Sequence, residues 1–280
     1  MRFVFAVLIL ASYPLLVGCG SSSWRAGPTP SEVGGSPDRA GVPRMPRAIV
    51  DLSPTIDEGF ATTHVGRKTI RLFGLRERTK FEHVIVEDPF YAAMSYVTLF
   101  THGGPHHDPP SHVIKDAASS DEIALDRFFG RARVLDFRHK ERDSALHRAD
   151  FTGKAIEPGE IIIAVVGYRP PEDLEQYPSF PFLSGEAAEY LAALPVKAFA
   201  TDMCCLVSPR NLEQRLQSGL KGSEKLLPEH YAFMSRGIPA IEGLVNVERI
   251  VGEENVVFVG FPLKLKGGTG GLMRAVALLY

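Results

Sequence analysis

Apolar residues in this chain come mostly in short runs with the two-residue alternation of strands, and less often at helical spacing. Residues 48–53 read as a short strand ending in a polar turn closed by Pro54, and 68–72 and 81–86 as further strands separated by a charged turn. From 95 to 102, Tyr96, Thr98, Phe100 and His102 alternate with Val97, Leu99 and Thr101, which predicts a strand ending at His102. Residues 123–129 predict a short helix, 132–137 a strand, and the charged segment 138–150 a solvated turn or helix. The continuous apolar run 161–166, fed by Pro158-Gly159-Glu160, has the pattern of a strand buried on both faces. Ser184 stands as an N-cap before Ala187, Ala188, Leu191 and Leu194 at helical spacing. A strand at 196–201 ends at Asp202, a helix at 229–236 stops at Gly237, and strands at 256–262 and 274–279 follow. Many strands with three or four helices predict an α/β domain with helices packed on a mixed sheet.

The N-terminal pattern differs. Met1-Arg2 precedes an apolar run at 3–16, and Leu16-Val17-Gly18-Cys19 places a small residue before a cysteine. The run is short for a bilayer span and reads as a signal peptide over residues 1–18. A cysteine directly after the small residue is similar to the bacterial lipoprotein pattern, with Cys19 lipidated and the protein exported and held at the membrane. Residues 19–47 are rich in Ser, Gly and Pro and read as a flexible tether, leaving 48–280 as the folded domain. Apolar content of 45% and a net charge of −2 suit a globular protein and give no global field for nucleic acid. Cys204 and Cys205 are adjacent, which disfavours a bridge between them, and they read as reduced residues near a strand end.

Candidate chemistry concentrates at 102–112. Four of the nine histidines and Asp108 fall in these eleven residues. Imidazole and carboxylate are donors for zinc, manganese or iron. Gly103, Gly104 and Pro105 exclude a helix between His102 and His106, so the donors are expected on a loop. A polar, proline-rich surface loop is the alternative. Downstream, His230 lies in the 229–236 helix, and Glu242 sits in the apolar segment Ala240-Ile241-Glu242-Gly243-Leu244, where a bare carboxylate is costly to bury. Taken without the histidine cluster, a helix-surface histidine and a strand-end acid would account for both.

The spacing His102-x-Gly104-x-His106-x-Asp108-x-Pro110-x-His112 resembles the signature of the metal-dependent cyclase family, which includes bacterial kynurenine formamidase and isatin hydrolase. Pro105 stands where that signature usually has threonine. Asp51-Leu52-Ser53, Phe182-Leu183-Ser184, the pair His230 and Glu242, and Gly267-Gly268-Thr269-Gly270 with the following strand extend the resemblance over roughly residues 48–280. It implies a swivelling β/β/α fold and a homodimer or homotetramer. It also implies that His102, His106 and Asp108 hold one divalent metal ion, zinc or manganese, while Asp108, His230 and Glu242 hold a second. His112 would carry the proton, and His107 would be a surface or outer residue. Such a centre hydrolyses an amide, cyclic amide or lactone bond of a small molecule. The Trp-Pro-Gly-Asp-like stretch of kynurenine formamidases has no counterpart at Phe60-Ala61-Thr62-Thr63. A non-catalytic metal- or ligand-binding lipoprotein on the same scaffold is the second reading. A zinc peptidase is disfavoured because no His-Glu-x-x-His helix is present.

Overall fold

A computed structural model describes residues 45–280. The segment expected as a signal peptide, Cys19 and nearly all of the expected tether lie outside the described residues. The strands are β1 (Ala48–Asp51), β2 (Lys80–Val86), β3 (Ala92–Thr98), β4 (His106–Asp108), β5 (Phe129–Asp136), β6 (Ala145–Leu146) and β7 (Ile161–Val165). They continue with β8 (Phe182–Leu183), β9 (Ala198–Thr201), β10 (Ala240–Glu242), β11 (Val256–Val259), β12 (Gly271–Leu272) and β13 (Val276–Leu279). The helices are α1 (Phe60–Val65), α2 (Arg67–Leu72), α3 (Arg148–Phe151), α4 (Gly185–Ala192), α5 (Pro209–Gln217), α6 (Ser223–Leu226) and α7 (Pro228–Met234).

Nine strands form one mixed sheet in the order β1-β13-β11-β5-β7-β9-β10-β4-β12. β5, β7, β9 and β10 run parallel, and the other neighbours are antiparallel. β1 and β10 are far apart in that order, yet the Val245 amide donates to the Leu52 carbonyl at 3.0 Å. The sheet is therefore curled. The apolar run at 161–166 is buried throughout and feeds two cores by alternation. Ile162, Ala164 and Val166 pack with Ala187, Ala188 and Leu191 of α4 and Ala232 and Phe233 of α7. Ile161, Ile163 and Val165 pack inside the curl with Val50, Phe258, Ala277 and Leu279. This is the expected α/β domain with helices on a mixed sheet.

Some local expectations fail. Residues 67–72 form α2, not a strand: the Ile70 and Phe73 amides donate four residues back to the Gly66 and Thr69 carbonyls, and Thr69 and Ile70 are buried while Arg67 and Arg71 are not. β3 ends at Thr98, so His102 sits in a turn beyond it, and β2 and β3 form a separate hairpin exposed on both faces. The 123–129 helix is replaced by 3₁₀ turns at Ser120–Glu122 and Leu125–Phe128. The charged 138–150 segment is turn, β6 and the start of α3. Ser184 does cap α4, its hydroxyl accepting from the Ala187 amide at 3.2 Å. Ser184→Ala is expected to cost about 1 kcal/mol, lowering the thermal unfolding midpoint by roughly 2–4 °C. An unchanged midpoint would show that the cap carries no stability.

Candidate metal centre

The cluster expected on a loop is largely on a strand. Residues 106–108 form β4, held between β10 and β12. Alternation then divides the histidines. His106 and Asp108 face the helix side, next to Glu242, which pairs directly with His106 across β10. His107 faces the other way. It is not a surface residue: it is fully buried, its Nε2 lies 2.8 Å from the Ser120 hydroxyl, and its ring packs edge-on to Phe128. α7, packed on the helix side, brings His230 to the same place, and the 3₁₀ turn Pro110–His112 brings His112. Residues from four parts of the chain thus converge.

The donors are close and poorly hydrogen-bonded to one another. His102 Nδ1 lies 2.8 Å from Asp108 Oδ1, yet that oxygen has no aligned donor. His106 Nε2 is 3.3 Å from Asp108 Oδ1 and 3.6 Å from Glu242 Oε2, and it has no partner either. His230 Nε2 is 3.3 Å from Glu242 Oε1 and 3.6 Å from Asp108 Oδ2. Ligands bound at about 2.0–2.2 Å to one ion stand roughly 3–3.5 Å apart, so these spacings fit a shared cation. Two groups have donor atoms within 4.8 Å of one another: His102, His106 and Asp108, and Asp108, His112 and His230. The second contains His112, expected off the metal, while Glu242 touches both through His106 and His230.

Outer contacts fix the orientation of these groups. His106 Nδ1 lies 2.8 Å from the Gly104 carbonyl, which only accepts, so Nδ1 carries a proton and Nε2 faces the carboxylates. This support passes through residue 104 and needs no hydroxyl at 105. Pro105 is buried, and its carbonyl accepts from the Met273 amide at 2.9 Å. Glu242 Oε1 accepts from the Leu206 amide at 2.7 Å. The closing glycines serve by close approach: a Cβ on Gly270 would lie 2.8 Å from the His102 ring, and one on Gly271 2.5 Å from His107.

Electrostatics separates the imidazoles. Burial opposes charge on His106, but Asp108 and Glu242 outweigh it and hold its pKa at about 9. His230 is also raised, with burial outweighed by the Glu242 contact. Burial raises the Asp108 carboxyl, yet the positive potential of His112, His102 and His106 holds it well below the usual carboxylate range. For His112 burial prevails, against Asp108 and with help from His230, and its pKa falls to about 4.

These groups line a cavity of about 360 Å³ with Val65, Ile70, Phe73, Leu75, Phe100 and Leu227. Cys204 and Cys205, both buried, also border it. Sequence reasoning missed this apolar wall because its residues are scattered and individually ordinary. A larger cleft of about 1100 Å³ carries Asp202, but backbone amides of Val166, Gly167 and Tyr168 already satisfy that carboxylate. The clustered donors lie in the smaller cavity.

The Cyclase family model matches residues 50–206. The chain belongs to the cyclase family. It is 28% identical to the kynurenine formamidase of Delftia acidovorans over 185 residues, covering 65% of this chain and 78% of that one. With the kynurenine formamidase of Salinibacter ruber the identity is 27%, covering 68% and 82%. The fold matches isatin hydrolase A from Labrenzia aggregata with TM-score 0.64 at 22% identity, over 83% of this chain and 93% of that one. An isatin hydrolase bound to thioisatinate gives TM-score 0.66 at 18% identity, over 82% and 92%.

His107, on the opposite face of β4 from His106 and Asp108, supplies a pH test of stability. Burial lowers its pKa to about 4, below the unfolded value of about 6.5. The folded state then resists protonation, so its contribution is complete above pH ~6.5 and declines as pH falls towards 4. Urea unfolding of the wild type is expected to lose about 1.5 kcal/mol more than His107→Gln between pH 6.5 and 5. Parallel losses in the two proteins would refute this.

Proposed function

We propose that this protein is a metal-dependent hydrolase that opens an amide, cyclic amide or lactone bond in a small molecule. The observation that carries this reading is the convergence of His102, His106, Asp108, His112, His230 and Glu242 on one cavity, with the buried His106 Nε2 and Asp108 Oδ1 left without hydrogen-bond partners. The names of the relatives, kynurenine formamidase and isatin hydrolase, support hydrolysis of a non-peptide C–N bond.

His102, His106 and Asp108 would hold a divalent ion, zinc or manganese. Asp108, His230 and Glu242 would hold a second where two are bound. The ion supplies electrophilic activation of a carbonyl and of the attacking water. His112, neutral at pH 7, lies beside His102 and His230 with ring centroids 4.5 and 5.6 Å away. It accepts the proton from the attacking water and returns it to the departing nitrogen or oxygen, so that water adds across the C–N or C–O bond. Glu242, oriented by the Leu206 amide, keeps its other oxygen towards His106. The second reading for His112, as a ligand, comes from its donor atom lying with those of Asp108 and His230.

His112→Ala is expected to lower kcat about 10²–10⁴-fold on an anilide and lactone panel while retaining metal by elemental analysis. Loss of metal in that variant would make His112 a ligand instead. Asp108→Asn is expected to lose both metal and turnover. A metal-replete wild type inactive across the panel would favour the non-catalytic binding protein.

The same proposal includes export and a lipid anchor at Cys19, supported by the apolar run at 3–16 and Gly18-Cys19, and assembly as a homodimer or homotetramer. Cys19→Ser is expected to move the protein from the membrane to the soluble fraction. An unchanged distribution would reject the anchor.

A further inference from the structure

We infer that the site selects neutral, apolar substrates and rejects those carrying a carboxylate away from the scissile bond. This deepens the hydrolase reading and rests on it. The wall opposite the donor cluster is built by Val65, Ile70, Phe73 and Leu75 from α1, α2 and the turn after them, with Phe100 and Leu227. Its other polar groups are the hydroxyls of Thr69, Thr101 and Thr269 and the two thiols. Among the described residues, no lysine or arginine lines this cavity.

Cations are not scarce nearby. Arg138, Lys140, Arg142 and Arg169 all line the separate larger cleft, and none of them is among the residues lining the smaller cavity. With the scissile bond at the donor cluster, a distal carboxylate in the smaller cavity would lie against the apolar residues and lose its water with no lysine or arginine among the lining to pair with it. An aryl or alkyl group instead covers Phe73 and Leu75, which stand 41% and 36% exposed. The α2 segment is thus a specificity element, with Phe73 at its C-terminal end the accessible residue for changing charge preference.

The test compares formanilide with 4-formamidobenzoate, which share the scissile bond and differ by one para carboxylate. Metal-loaded wild type is expected to favour formanilide in kcat/KM by at least about 100-fold. Phe73→Arg, a change at an exposed position, is expected to narrow that ratio by about tenfold or more by supplying the absent counter-charge. Binding gives an independent readout: acetophenone, which has a carbonyl but no bond to hydrolyse, should raise the unfolding midpoint of the metal-loaded protein, and 4-acetylbenzoate should not. Equal preference within a few-fold, equal stabilisation by both ketones, or stabilisation by neither overturns the inference. Selective stabilisation by acetophenone with no turnover of either anilide or of the lactone panel leaves the charge selection standing and rejects the hydrolase reading.

Discussion

The antiparallel pairing of β4 with β10 is the constraint on which the site depends. Its register sets His106 opposite Glu242 and Asp108 opposite Ala240. Because side chains alternate, this register puts two imidazole- and carboxylate-bearing positions of β4 on the helix-covered face together with Glu242. A slip of one residue would place His107 there and turn His106 and Asp108 into the curl of the sheet. Several features protect the register. β12 pairs on the other side, and Gly243, at φ +74, turns the chain where a Cβ would lie 2.9 Å from the Gly104 carbonyl. The Met273 amide meets the Pro105 carbonyl.

Much of this was legible one residue at a time. The histidine spacing located the centre, and the burial cost of Glu242 pointed to a partner cation. The buried run at 161–166 and the Ser184 cap carry strong local patterns that tertiary context did not override. What could not be read was the form of the segment bearing the donors. Two glycines and three prolines around a three-residue strand suppress any periodic signal, and β4 is extended only because β10 and β12 pair with it. His107 was misjudged for the same reason: its burial follows from alternation along a strand that the local sequence does not announce.

The error at α2 has a different origin. Arg67, Lys68, Thr69, Ile70, Arg71 and Leu72 fit a short strand or a short helix about equally well, and only packing decides. The structure forms a helix that buries Thr69 and Ile70 and leaves Arg67 and Arg71 out, and so lines the cavity of the donor cluster with apolar side chains. An unread helix therefore meant an unread cavity wall. The donor set identifies the chemistry, while the substrate-facing wall comes from a segment with no motif.

The two halves of the cavity are coupled by electrostatics. Asp108 and Glu242 bring two carboxylates into a nearly dry site, and two of the neighbouring imidazoles respond with raised proton affinity, His106 to about 9 and His230 in the same direction. Protons on these rings and a divalent ion would be alternative ways to balance the same buried negative charge, so ion binding there would displace protons and weaken as pH falls. His112 differs because burial outweighs its single nearby carboxylate, leaving it neutral and able to accept a proton. The strand register sets His106 beside both carboxylates, while His112 enters from the 3₁₀ turn, where burial prevails.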